Sequence, residues 1–157
     1  MPYLYVTIMI ALLDQVLKWL VQTKMYPWQS IELWKGIVSL TYARNPGAAF
    51  NILQSQPALL AVIAAGIFVL VWLNRREVSD YPWTFQIGIA IALGGALGNF
   101  VDRVRLGYVV DFIDFHFWPV FNLADTAIVG GVGLIILGFL FKSSTEKLKR
   151  LQPDQNR

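Results

Sequence analysis

Four stretches of this chain are each apolar enough, and nearly long enough, to cover the hydrocarbon core of a bilayer, and together they leave little material for anything else. A helix needs about 20 mostly apolar residues to cross a core roughly 30 Å thick. The stretches are residues 3–21, 57–73, 81–101 and 121–141. Of the 157 residues, 56% are hydrophobic and 15% charged, against about 25% charged in soluble domains. The expected fold class is therefore an all-α polytopic membrane protein with four transmembrane helices. No repeat or long linker divides it, so residues 1–157 read as a single membrane-embedded domain.

Basic residues next to spans record orientation. Arg75 and Arg76 occupy the short turn between the second and third spans, and Lys142, Lys147, Lys149 and Arg150 stand in the tail 142–157. Both clusters fall on the inside only if both termini do, which predicts an N-in/C-in topology with outer loops 22–56 and 102–120. A formal charge of +3 placed in this way reports topology and gives no reason to expect a nucleic-acid partner. A cleaved signal peptide is a poor reading of the first span, which lacks a basic region ahead of it and is interrupted by Asp14 and Lys18. The chain has no cysteine and one histidine, His116. That excludes thiol nucleophiles and disulfides, argues against a histidine-built metal site, and leaves no metal or cofactor expected.

Within the first outer loop, Lys35–Tyr42 is rich in β-branched and aromatic residues and is followed by Asn45-Pro46-Gly47, which reads as strand and turn. Trp28, Trp34, Tyr42 and Trp118 fall near span ends, where amphipathic rings favour the headgroup level.

The informative residues are the polar ones that an apolar span should not contain, since each ionisable group costs roughly 2.5–3.5 kcal/mol on insertion. Asp14 and Lys18 are one helical turn apart and can pair with each other. Asp125 lies sixteen residues before Phe141, roughly 24 Å along a helix, so it sits shallow on the outer side. Asn122, a turn earlier, can orient its carboxylate, and capping of the helix start is the alternative reading. Asn99, Asp102 and Arg103 share one face at the end of the third span, where an Asp102–Arg103 ion pair would account for the charges. Gly94, Gly95 and Gly98 before them permit close helix packing. The second outer loop adds Asp111 and Asp114 in an apolar setting.

Two carboxylates in a sheltered site cannot both ionise comfortably, so one keeps a proton while the other acts as base. That is the arrangement aspartic peptide hydrolysis needs, without metal or covalent intermediate. The residues nominate Asp125 with one of Asp102, Asp111 and Asp114, and spacing does not choose among the three. A small proton- or cation-coupled transporter using Asp14, Lys18 and Asp125 is an alternative, though such proteins favour midplane charges and repeated, broken helices. A scaffold subunit without chemistry is a third.

Five short stretches, in this order, resemble lipoprotein signal peptidase (signal peptidase II), a family of bacterial membrane aspartic proteases. They are Leu13-Asp14-Gln15-Val16-Leu17-Lys18, Arg44-Asn45-Pro46-Gly47-Ala48-Ala49-Phe50, Gly98-Asn99-Phe100-Val101-Asp102-Arg103, Val110-Asp111-Phe112-Ile113 and Phe121-Asn122-Leu123-Ala124-Asp125. The resemblance implies that Asp111 and Asp125 are the catalytic pair. It implies that Asn45, Asn99, Arg103 and Asn122 line the site and that Asp14, Lys18 and Asp102 support its geometry. It further implies a small outer β-structure after the first span and a mobile lid helix within about Val104–Val120, with Phe112, Phe115, Phe117 and Trp118 dipping into lipid. The implied substrate is a prolipoprotein whose cysteine already carries diacylglycerol, cut just before that cysteine. The implied location is the bacterial cytoplasmic (inner) membrane, multi-pass, with the site near the periplasmic face. Membrane lipid is the other expected partner, and a monomer is the expected state.

Overall fold

A computed structural model of the chain describes residues 3–47 and 56–151, with side chains through Ser143. The elements in order are α1 (Leu4–Lys24), β1 (Ser30–Trp34), β2 (Val38–Asn45), α2 (Pro57–Leu73), α3 (Arg75–Ser79), α4 (Trp83–Leu106), β3 (Val109–Asp114) and α5 (Leu123–Leu151). Among the described residues three helices are long and apolar enough to cross a membrane: α1, α4 and the Leu123–Ser143 part of α5. The remaining apolar helix, α2, has 17 residues and so spans about 26 Å. Residues 48–50, the end of the first-loop motif, lie outside the described residues.

The centre of the bundle is α4, which packs on α1, α2 and α5. Its glycines make this possible, because each removes a side chain where another backbone passes. A Cβ at Gly94 would lie 2.9 Å from the Thr7 carbonyl of α1, and one at Gly88 would lie 2.7 Å from the Gly131 carbonyl of α5. Gly95 similarly admits the Ala124 carbonyl. The α1–α4 seam is pinned by the Thr7 hydroxyl, which donates to the Ala90 carbonyl at 2.9 Å.

Gly98 has a different neighbour. A Cβ there would overlap the Asp14 carboxylate, so the bare backbone opens the space that the carboxylate fills. Gly98→Ala must push α1 off α4 or displace the ion. The expected cost is about 1–3 kcal/mol, the range for overpacking a filled core, read as a lowered thermal midpoint in detergent. Gly130→Ala, where an added Cβ meets nothing within 4 Å, is the control that should leave the midpoint in place.

The sheet is antiparallel with order β1-β2-β3. A tight turn at Gly36, with φ +70°, closes the β1–β2 hairpin. β3 then adds to β2 with Ala43 opposite Asp111 and Asn45 opposite Val109. One face of this sheet covers the C-terminal end of α1: Val21, Met25, Tyr42, Val110 and Phe112 form a buried cluster. Phe121 closes the other side of β3, its carbonyl accepting from the Phe112 and Ile113 amides at 2.9 and 2.8 Å.

Several expectations change here. The third span runs on to Leu106 before Gly107, with φ +77°, ends it in a left-handed turn. Asp102 and Arg103 are therefore helical residues and the second connection begins later than residue 102. The fourth helix begins at Leu123. The expected lid helix is absent among the described residues: the middle of that segment, Val109–Asp114, is β3, and Phe112 is buried in the cluster instead of dipping into lipid. β-branched residues at Val109, Val110 and Ile113 favour a pleated strand, and β2 supplies the open edge it pairs with. Phe117 and Trp118 do remain exposed. Tyr42 is buried at 3% exposure and is no interface anchor, whereas Trp28 and Trp34 are exposed.

Candidate active site

Polar groups are gathered where the C-terminal halves of α1 and α4, the sheet and the start of α5 meet. Asp14, Lys18, Asn99, Asp102, Asp111 and Asn122 are all buried there. Burial at this density is tolerable only if the groups satisfy one another.

The lower layer is an ionic knot. Lys18 Nζ, wholly buried, lies 2.8 Å from Asp14 Oδ2 and 3.0 Å from Asp102 Oδ2. It also donates to Asn99 Oδ1 at 2.8 Å. Three acceptors thus meet the three donors of an ammonium. The Asp14–Lys18 pairing expected from spacing is present, but Asp102 turns to Lys18 and not to its neighbour Arg103. Each acid also has other partners. Asp14 Oδ1 accepts from the Ala124 amide at 3.0 Å, tying α1 to the first turn of α5. Asp102 accepts from Gln15 at 2.8 Å and from the Val110 amide at 3.0 Å, tying α4 to β3. Gln15 also donates to the Gly98 carbonyl. Its supporting role went unread in the sequence, where an amide beside Asp14 in an apolar span was the available signal.

Above the knot lie two carboxylates joined by amides. Asn99, held by Lys18 through its oxygen, donates through Nδ2 to Asp125 Oδ1 at 2.8 Å. Asn122 donates to Asp111 Oδ1 at 2.6 Å and to Asn99 Oδ1 at 3.2 Å. Asn45 donates to Asp111 Oδ2 at 2.9 Å, while its own oxygen accepts from the Gly47 amide at 2.9 Å. Asp125 is also part of a reciprocal cap. Its amide donates to Asn122 Oδ1 at 2.9 Å, and its Oδ2 accepts from the Asn122 amide at 3.2 Å. The capping and site-organising readings of Asp125 are therefore both met by one geometry, since the cap fixes the carboxylate's direction.

Among the three acids that could partner Asp125, Asp111 shares this amide bridge. Asp102 is taken up by Lys18, Gln15 and Val110. Asp114, at the far end of β3, accepts from the Thr41 hydroxyl at 2.8 Å and the His116 amide at 2.8 Å. Burial, and next the charge of Asp125, push the Asp111 carboxyl up to about 7, so it holds a proton in mildly acid solution. Arg103 stands beside both acids, within electrostatic reach of Asp125, Asp111 and Asp102. Its NH1 donates to the Asn99 carbonyl and its NH2 to the Gly47 carbonyl, each at 3.3 Å, while Nε is buried without an acceptor. Among the described residues no three His, Cys, Asp or Glu groups cluster as a metal cage would require.

The sequence model for the family described as Signal peptidase (SPase) II matches residues 6–141. The chain belongs to the signal peptidase II family. Signal peptidase II enzymes are proteases, which leaves the transporter and scaffold readings without support. Relatives agree in name over most of their lengths. A lipoprotein signal peptidase of Halothermothrix orenii is 47% identical over 139 residues, covering 87% of this chain and 93% of the relative. One from Moorella thermoacetica is 39% identical over 132 residues, covering 84% and 88%. Among solved structures, a bacterial membrane enzyme determined in meso at 2.3 Å superposes with TM-score 0.87 at 31% identity, covering 99% of this chain and 94% of that one. The fold of that membrane enzyme is thus shared along nearly the whole chain.

Proposed function

We propose that this chain is an aspartic endopeptidase that removes signal peptides from diacylglyceryl-modified bacterial prolipoproteins, cutting just before the lipidated cysteine, with Asp111 and Asp125 as its catalytic pair. The observation that carries the reading is the amide-bridged pair of acids, one raised to about 7, in a member of the signal peptidase II family. Asp125, ionised, takes a proton from a water as its oxygen attacks the scissile carbonyl, while protonated Asp111 gives its proton to the carbonyl oxygen. Collapse of the resulting gem-diol breaks the C–N bond; the proton on Asp125 passes to the leaving nitrogen, and Asp111 regains its own from a hydroxyl. Asn45, Asn99 and Asn122 hold the two carboxylates in register. Arg103, with a free donor at Nε, binds the substrate backbone. Asp14, Lys18 and Asp102 support the assembly from below.

In this reading all four apolar helices span, N-in/C-in, with α2 accommodated by local thinning of the bilayer. The site then lies near the periplasmic face of the cytoplasmic membrane. Residues 1–157 form one domain, and the enzyme works as a monomer, since every group named comes from one chain.

The test is incubation of purified protein in detergent with a diacylglyceryl-modified prolipoprotein and with its unlipidated form. Cleavage of the lipidated precursor alone, at the bond before the cysteine, is the expected result; an intact lipidated precursor sinks the proposal. The pair also sets a pH dependence. Deprotonating Asp111 leaves two anions and no acid, so kcat/KM should fall as pH rises through about 7. A flat profile from pH 6 to about 9 would remove Asp111 from the role of acid.

A further inference from the structure

α1 and α2 both pack on α4, and at the end of the bundle away from the acids a groove of about 560 Å³ lies between them. Its walls are apolar, with Ile8 from α1, Phe68 and Trp72 from α2, and Leu93 and Leu97 from α4, while Arg75 stands among the lining residues at its mouth. Along α4 the groove extends from Gln86 to Leu97, about 16 Å, which is half of a hydrocarbon core and so the depth of one leaflet. Arg75 is held at the entrance: NH1 donates to the Trp72 carbonyl at 3.0 Å and the guanidinium lies 4.9 Å from the centre of the Trp72 ring. Arg76 follows it in the chain, and Glu77 and Asp80 are not among the groove's lining residues.

We propose that this groove seats one acyl chain of an anionic phospholipid from the leaflet at this end, with the lipid phosphate on Arg75. An apolar slot one leaflet deep that ends in a cation matches such a molecule in length, polarity and charge. A zwitterionic lipid would bring its own cation against Arg75. A precursor's signal peptide fits less well, because its basic leading region would meet Arg75 and Arg76 at the same level. The lipid here is structural, distinct from the lipidated substrate at the other end of the bundle.

Native mass spectrometry of the full-length protein, equilibrated with phosphatidylglycerol or phosphatidylcholine of identical chains, tests this. Wild type should retain one phosphatidylglycerol in preference to phosphatidylcholine. Arg75→Glu should lower that preference about tenfold, as expected for reversing one charge at a headgroup. Leu93→Trp, which fills the groove, should reduce retention of both lipids. Neither residue belongs to the acid site, so both variants should still cleave lipidated precursor. Equal retention of the two lipids by wild type, or an unchanged preference in Arg75→Glu, overturns the proposal. So does a photo-crosslinker in place of Ile89 that captures precursor peptide instead of lipid.

Discussion

Asp125→Asn and Asp111→Asn should each yield a folded, membrane-inserted protein whose cleavage of lipidated precursor is slower by about 10⁴-fold or more, the upper range for removing a general acid or base. In the proposed mechanism Asp125→Asn removes the group that accepts the proton of water. The amide can still take part in the cap with Asn122, so the start of α5 should persist and the loss should lie in kcat. Asp111→Asn removes the proposed proton donor while keeping an amide able to face Asn45 and Asn122. Whatever activity remains in that variant should lack the fall near pH 7 expected of wild type, because the group responsible for it is gone. Single-turnover cleavage by both variants across pH is the measurement. Substantial turnover by either, or an unaltered pH profile in Asp111→Asn, would rule out a two-carboxylate mechanism.

Lys18→Met should be the most destabilising single substitution in the molecule, though Lys18 need never touch substrate. Methionine fills nearly the same volume but leaves Asp14 and Asp102 as two buried acids without a cation. Breaking one partner out of a buried ionic network costs about 3–5 kcal/mol, and thermal unfolding in detergent should shift down by about 10 °C. The informative companion is Lys18→Met combined with Asp14→Asn and Asp102→Asn. With the charges removed together, much of the stability should return, because the desolvation cost of all three ions goes with them. If the triple variant is no more stable than Lys18→Met, the loss came from packing and not from unpaired charge.

Much of this site was legible because a membrane span makes polar residues conspicuous. Asp14, Lys18, Asn99, Asp102, Asn122 and Asp125 each interrupt or end an apolar run, and helical spacing alone places Asp14 with Lys18 and Asn122 with Asp125. Two things were hidden. The partner of Asp102 could not be read from spacing, because Lys18 lies 84 positions away in sequence and only the packing of α1 on α4 through Gly94 and Gly98 brings it close. The role of residues 109–114 was hidden for a related reason. An apolar run with one acid is consistent with a lid, a loop or a buried strand, and the choice depends on whether a distant edge is free to pair with it. Here β2 offers that edge, and it turns the Asn45 side chain toward Asp111. The choice among Asp102, Asp111 and Asp114 was likewise a question of which acid had other partners, and local pattern carries no such information.

The polar core is divided between the first and last helices in a way that bears on when the molecule becomes active. Asp111 and Asp125 both come late in the chain, yet the turn that aims Asp125 is held from beneath by the Asp14 carboxylate, through the Ala124 amide. Asn99, which reaches Asp125, is itself held by Lys18. A nascent chain stalled after α4 has a cation without its oriented acids, and a fragment lacking α1 has the acids without a frame. On the proposed mechanism hydrolytic competence is therefore a property of the finished fold, delivered in a single closing step, when α5 docks against the much earlier helix α1.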